Sequence, residues 1–106
     1  MNHGLPPDTV ERIRGILARF PAIERALLYG SRARGNPRPG SDIDLTLCGG
    51  ALTLEHLAVI ASELDDLLLP YTIDLSIMDR LDHTALRQSI AREGVVFYKQ
   101  QQGDRR

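Results

Sequence analysis

Apolar and polar residues alternate with two different periods along this chain, and the period changes mark out its elements. Val10, Ile13, Leu17 and Phe20 recur at helical spacing behind Pro6-Pro7-Asp8, a start with prolines at the first turn and an acidic residue beside them. Pro21 stops that helix. The segment Glu24–Tyr29 reads as a short strand cut off by Gly30-Ser31, and Ser31 through Arg34 reads as one or two helical turns closed by Gly35. Asn36-Pro37-Arg38-Pro39-Gly40 is turn chemistry throughout. Asp42-Ile43-Asp44-Leu45-Thr46-Leu47 then alternates at period two, and Thr72-Ile73-Asp74-Leu75-Ser76-Ile77 repeats the alternation. Between them Thr53 caps a helix with Leu54, Leu57, Ala61, Leu64 and Leu68 as its inward row, ending before Pro70. A last helix starts at Asp82, turns Leu86 and Ile90 inward and ends at Gly94. Val95–Tyr98 is a final strand, and 99–106 reads as a polar, loosely held tail.

Helices and strands therefore interleave, which predicts an α/β (α+β) fold with a single mixed sheet of about four strands. Both central strands carry one apolar and one polar row, whereas a sheet buried on both faces reads as continuous aliphatics. Helices are thus expected mainly on one face, with a partly open polar face opposite. At 106 residues the chain is expected to be one domain, 1–106, with room for one core.

Composition narrows the function classes. Apolar residues make up 42% and charged residues 25%, which excludes disorder, collagen and coiled coil. No apolar run approaches the ~20 residues of a membrane span, and Met1–Asp8 lacks the pattern of a secretory signal. The single cysteine, Cys48, excludes an internal disulfide framework, and together these features predict a cytoplasmic protein. A net charge of −1 argues against direct nucleic-acid binding through the phosphate backbone.

Chemistry concentrates in one region. Asp42 and Asp44 point to the same face of a strand, and Asp74 stands in the polar row of another. If the two strands are neighbours in register, three carboxylates share one patch. Two unit charges ~4 Å apart repel by ~4 kcal/mol at an effective dielectric of ~20. Three such pairs approach the ~5–15 kcal/mol that holds a whole domain together. Such a cluster calls for a cation, and oxygen ligands beside phosphate suit Mg²⁺ best. Upstream, Gly30-Ser31 sits where a strand gives way to a helical turn. Glycine lets a phosphate approach the backbone, and the serine hydroxyl and the first N–H groups of the turn can donate to it. Arg32 follows on that turn, and Arg34 and Arg38 lie within reach of a phosphate chain. No lysine lies nearby, so a Walker-type loop is absent. Cys48, His3, His56, His83, Asp65, Asp66, Tyr29, Tyr71 and Tyr98 are expected to serve packing or the surface.

The stretch from Gly30-Ser31 through Asp42-Ile43-Asp44-Leu45, with Asp74 on a later strand, resembles the DNA-polymerase-β-type nucleotidyltransferase superfamily in its minimal nucleotidyltransferase branch. The signature is Gly-Ser, a spacer of about ten residues, Asp-x-Asp, then a third acidic residue, and the likeness runs from about Glu24 to Ile77. It implies a polymerase-β-like nucleotidyltransferase fold, with two Mg²⁺ ions among Asp42, Asp44 and Asp74 as metal-binding and catalytic residues. It also implies ATP as substrate, with Gly30, Ser31 and Arg32 binding its phosphates and Asp74 helping to deprotonate a hydroxyl acceptor. Stand-alone members of this branch pair with an all-helical HEPN RNase toxin and act as its antitoxin by transferring AMP to a toxin tyrosine. Two other functions compete with that expectation. One is a non-catalytic antitoxin that neutralises its partner by contact. The other is a small-molecule transferase of the aminoglycoside type, for which an acceptor domain is missing.

Overall fold

The computed structural model describes residues 4–35 and 42–100. The chain runs α1 (Pro7–Leu17), β1 (Arg25–Tyr29), β2 (Ile43–Cys48), α2 (Leu54–Asp65), β3 (Ile73–Ile77), a 3₁₀ turn (Met78–Arg80), α3 (Thr84–Glu93) and β4 (Val95–Lys99). Four strands form one mixed sheet in the order β3-β2-β1-β4. β1 is antiparallel to both neighbours, and β2 and β3 are parallel, joined by α2 as their crossover. This is the predicted α+β arrangement. Among the described residues no helix is long and apolar enough to cross a membrane.

The apolar row of β2 organises the core. Ile43, Leu45 and Leu47 are fully buried, opposite Ile73, Leu75 and Ile77 on β3. Leu45 and Leu47 also face Leu28 and Ala26 on β1. Val10, Ile13, Ile16 and Leu17 from α1 and Ile60 and Leu64 from α2 pack over them. Burying an aliphatic side chain of this size contributes about 1.5–3 kcal/mol. Ile90 of α3 is buried apart from this cluster, where α3 meets β1.

Several details correct the sequence expectations. Phe20 ends up beyond α1, half-buried against the core. The inward row of α2 is Leu57, Ile60, Leu64 and, past the helix end, Leu67, whereas Leu54 is 59% and Leu68 87% exposed and Ala61 faces outward. Apolar residues surround most of α2, so two stripes were available, and contact with α1 and β3 selects between them. α2 also stops at Asp65, after which Leu68 takes a φ of 55°.

Histidines serve as caps. His56 Nδ1 accepts from the Thr53 N–H while Thr53 Oγ1 accepts from the His56 N–H, a reciprocal capping box. His83, not Asp82, caps α3, its Nδ1 accepting from the Leu86 N–H at 3.1 Å. The tail is firmer than expected at its start. Lys99 belongs to β4, and Gln100 donates from its backbone to Glu24 O and from its side chain to Pro21 O. Residues 101–106, and the turn at 36–41 with Arg38, lie outside the described residues.

Candidate active site

Parallel pairing of β2 with β3 sets Asp44 directly opposite Asp74, the register the two alternating strands required. Neighbouring strands lie ~4.8 Å apart, so the two carboxylates leave the same side of the sheet from adjacent strands. Asp44 is half-buried, while Asp74 and Asp42, the residue just before β2, are exposed. Burial pushes the Asp44 carboxyl above its ordinary value, and the charges of Asp74 and Asp42 push it further in the same direction. The three acids therefore form one electrostatic group, although they are not drawn into a closed cage. Among the described residues no three His, Cys, Asp or Glu side chains stand close enough to hold a metal ion. The all-oxygen donor set and the mutual repulsion at Asp44 nevertheless fit a hard divalent cation bound together with a phosphorylated substrate.

The Gly30–Gly35 turn follows the end of β1 and comes up against Asp44 at Gly30. Gly30 has a φ of +80°, which L side chains rarely adopt, and a Cβ there would run into Asp44 Oδ2. Glycine is thus required twice, for the backbone bend and for the space beside the carboxylate. The Arg34 N–H donates to Gly30 O at 3.2 Å and the Gly35 N–H to Arg32 O at 3.3 Å. These bonds make one tight turn rather than a helix. Ser31 is half-buried on it, next to Gly30. Arg34 pairs with Glu93 of α3 at 3.7 Å.

Arg32 is the residue whose placement departs most from a phosphate-gripping role. It is 2% exposed, with its guanidinium 5.1 Å from the centre of the Tyr71 ring.

Sequence reasoning treated Tyr29 as packing, yet it ends β1 directly opposite Asp44. Burial pushes its phenol up, a hydrogen bond with Ser76 works the other way, and the charges of Asp44 and Asp74 raise it again. Ser76 in turn donates to Thr46 Oγ1 at 2.9 Å. The signal for Tyr29 was its place immediately before Gly30. Its place opposite Asp44 depends on the antiparallel register of β1 with β2, which no local pattern reveals. An open groove of about 840 Å³ between α1 and β4, lined by Glu11, Arg14 and Phe97, and a smaller one of about 360 Å³ between α2 and β3 both lie off the carboxylate row.

Comparison with known proteins points the same way. Residues 11–103 match the family described as polymerase beta, nucleotidyltransferase. None of the curated proteins compared with the chain matches it. Among solved structures, a toxin–antitoxin complex with AMP-PNP superimposes with a TM-score of 0.70 at 25% identity, over 90% of this chain and 77% of its own. The complex of tri-AMPylated Shewanella oneidensis HEPN toxin with MNT antitoxin gives 0.64 at 22% identity, over 91% and 74%. A nucleotidyltransferase fold from Sulfolobus solfataricus gives 0.53 at 21% identity, over 85% and 76%. The last two likenesses are of fold alone.

Proposed function

Because the chain belongs to the polymerase beta nucleotidyltransferase family, we propose that it transfers AMP from ATP to a hydroxyl of a protein partner. The acceptor is a tyrosine of a HEPN-type toxin, which the chain thereby neutralises as an antitoxin. The observation that carries this is the register of Asp44 with Asp74 beneath a turn whose glycine packs against Asp44. The toxin–antitoxin complexes on a similar fold, one with AMP-PNP and one with an AMPylated toxin, support the choice of nucleotide and partner.

In this reaction the acceptor oxygen forms a bond to the α-phosphorus of ATP, and the bond from that phosphorus to pyrophosphate breaks. Asp74, at the open edge of the site, takes the proton that leaves the acceptor hydroxyl. Gly30 leaves room for the triphosphate to approach the backbone, and Ser31 donates its hydroxyl to a phosphate oxygen. Tyr29 stands directly opposite Asp44 in the β1–β2 register and so borders the site on that side. Asp42, Asp44 and Asp74 would hold Mg²⁺, two ions by family expectation, which when bound supplies neutralising charge for the triphosphate and the departing pyrophosphate. The rest of the catalysis is positioning. A single, half-buried free cysteine suits a reducing cytoplasm as the setting.

The test is to incubate the chain and its helical partner with labelled ATP and Mg²⁺ and to ask which protein gains the mass of AMP. The expected result is AMP on a partner tyrosine, lost with Asp42→Asn or Asp74→Asn. A partner neutralised equally well by both variants, without gaining AMP, would show a module that acts by contact alone.

A further inference from the structure

We propose that Arg32 is a positioning residue. Stacked on Tyr71, it fastens the Gly30–Gly35 turn to the segment leading into β3, and so sets where Ser31 stands relative to Asp74. This rests on the nucleotidyltransfer reading above, since it assigns a role within that site.

Arg32 is the one buried charged side chain among the described residues. Taking a guanidinium out of water is costly unless the surroundings repay it, so its placement calls for a role inside the fold. Its guanidinium carbon lies 5.1 Å from the centre of the half-buried Tyr71 ring, within the range of a cation–π contact. The topology gives that contact its meaning. Arg32 follows the end of β1, Tyr71 precedes β3, and β2 lies between those strands. The Arg32–Tyr71 stack therefore bridges across the end of β2 that carries Asp42 and Asp44. A backbone bond from the Ile43 N–H to Thr72 O, at 2.9 Å, ties β2 to the same segment. Ser31 is one residue from one half of the stack, and Asp74 is three residues from the other. The two halves of the site have no covalent link shorter than the forty-odd residues between them. The stack adds a direct side-chain contact between the halves beside the backbone pairing of the sheet, and it needs a planar cation, which lysine does not provide.

The experiment uses Arg32→Lys, Tyr71→Leu, Tyr71→Phe and the double variant Arg32→Lys/Tyr71→Leu, each in the full chain. Amide hydrogen exchange is followed without metal or nucleotide, and kcat and KM for ATP are measured in the transfer assay. Tyr71→Leu and Arg32→Lys should each speed exchange within residues 30–35 by about tenfold while the Leu45 amide keeps its protection. Tyr71→Phe should behave as wild type, and the double variant should exchange no faster than the faster single variant. Turnover should fall by about 10–100-fold in both disrupted variants with KM for ATP little changed. The proposal is overturned if Tyr71→Leu leaves exchange at 30–35 untouched. It is equally overturned if Arg32→Lys raises KM for ATP while Tyr71→Leu does not, because Arg32 would then be gripping phosphate. If Tyr71→Leu fails to fold, Arg32→Lys decides alone: faster exchange at 30–35 with KM for ATP unchanged upholds the stack, and unchanged exchange or a raised KM overturns it. Exchange needs no turnover, so a wild-type chain without transfer activity would sink the proposed function while the exchange result still judged the stack.

Discussion

Two rungs of the β2–β3 ladder, Thr46–Ser76 and Asp44–Asp74, lie two residues apart and face the same side of the sheet. At the first, Thr46 is fully buried and accepts a hydrogen bond from Ser76, so both hydroxyls are satisfied within the fold. At the second, two carboxylates of like charge stand opposite each other, and Asp44 is half-buried, with its carboxyl raised by burial and by its neighbours. The same backbone geometry thus holds one pair that closes on itself and one that cannot. The unsatisfied rung lies at the open end of the sheet, under the Gly30 turn. What the described residues leave unpaired there is what a cation and a triphosphate can complete.

Substitutions should separate the two rungs. Asp44→Asn removes the clash and the ligand together. Transfer activity should fall by about 10³-fold, while the melting temperature of the unliganded chain rises by a few degrees. A variant that lost both activity and stability would mean that the carboxylate holds the fold together. Leu45→Ala, between the rungs on the opposite row, should instead cost about 2–5 kcal/mol in denaturant unfolding, because it hollows the core over α1 and α2. Ser76→Ala should cost only about 1 kcal/mol, the loss of one hydrogen bond at Thr46, with activity reduced far less than in Asp44→Asn.

The smallest effect is a pH dependence. The Asp44 carboxyl sits above its ordinary 3.8 in the folded chain, so the native state holds that proton more tightly than the unfolded one. The stability this group contributes is complete below 3.8 and is lost as pH rises through its raised value. Without metal, the melting temperature of Asp44→Asn relative to wild type should therefore climb as pH rises across that window. A constant difference would mean that Asp44 titrates as it does in the unfolded chain.

Much of this was legible in the residues themselves. The period-two runs around Asp44 and Asp74 located both strands, and the spacing from Gly30-Ser31 to Asp42 located the candidate site. The stripe on α2 was not legible, because Leu54, Ala58, Val59 and Ala61 extend its apolar surface beyond one face and only packing chooses among them. Nor was Tyr29, whose partnership with Asp44 comes from strands joined by a long connection. The surroundings of Arg32 were hidden for a related reason. An arginine after Gly-Ser suggests phosphate, and only the crossing of the turn toward Tyr71 shows where its side chain goes.

Thermal unfolding of the wild-type chain and of Asp74→Asn, with and without Mg-ATP, tests most directly whether the charged rung is a nucleotide seat. At about 100 times its Kd the ligand should stabilise the wild type by about 2.7 kcal/mol, a shift of several degrees. Asp74→Asn should shift little or not at all. A wild type that does not respond, or a variant that responds equally, would contradict it.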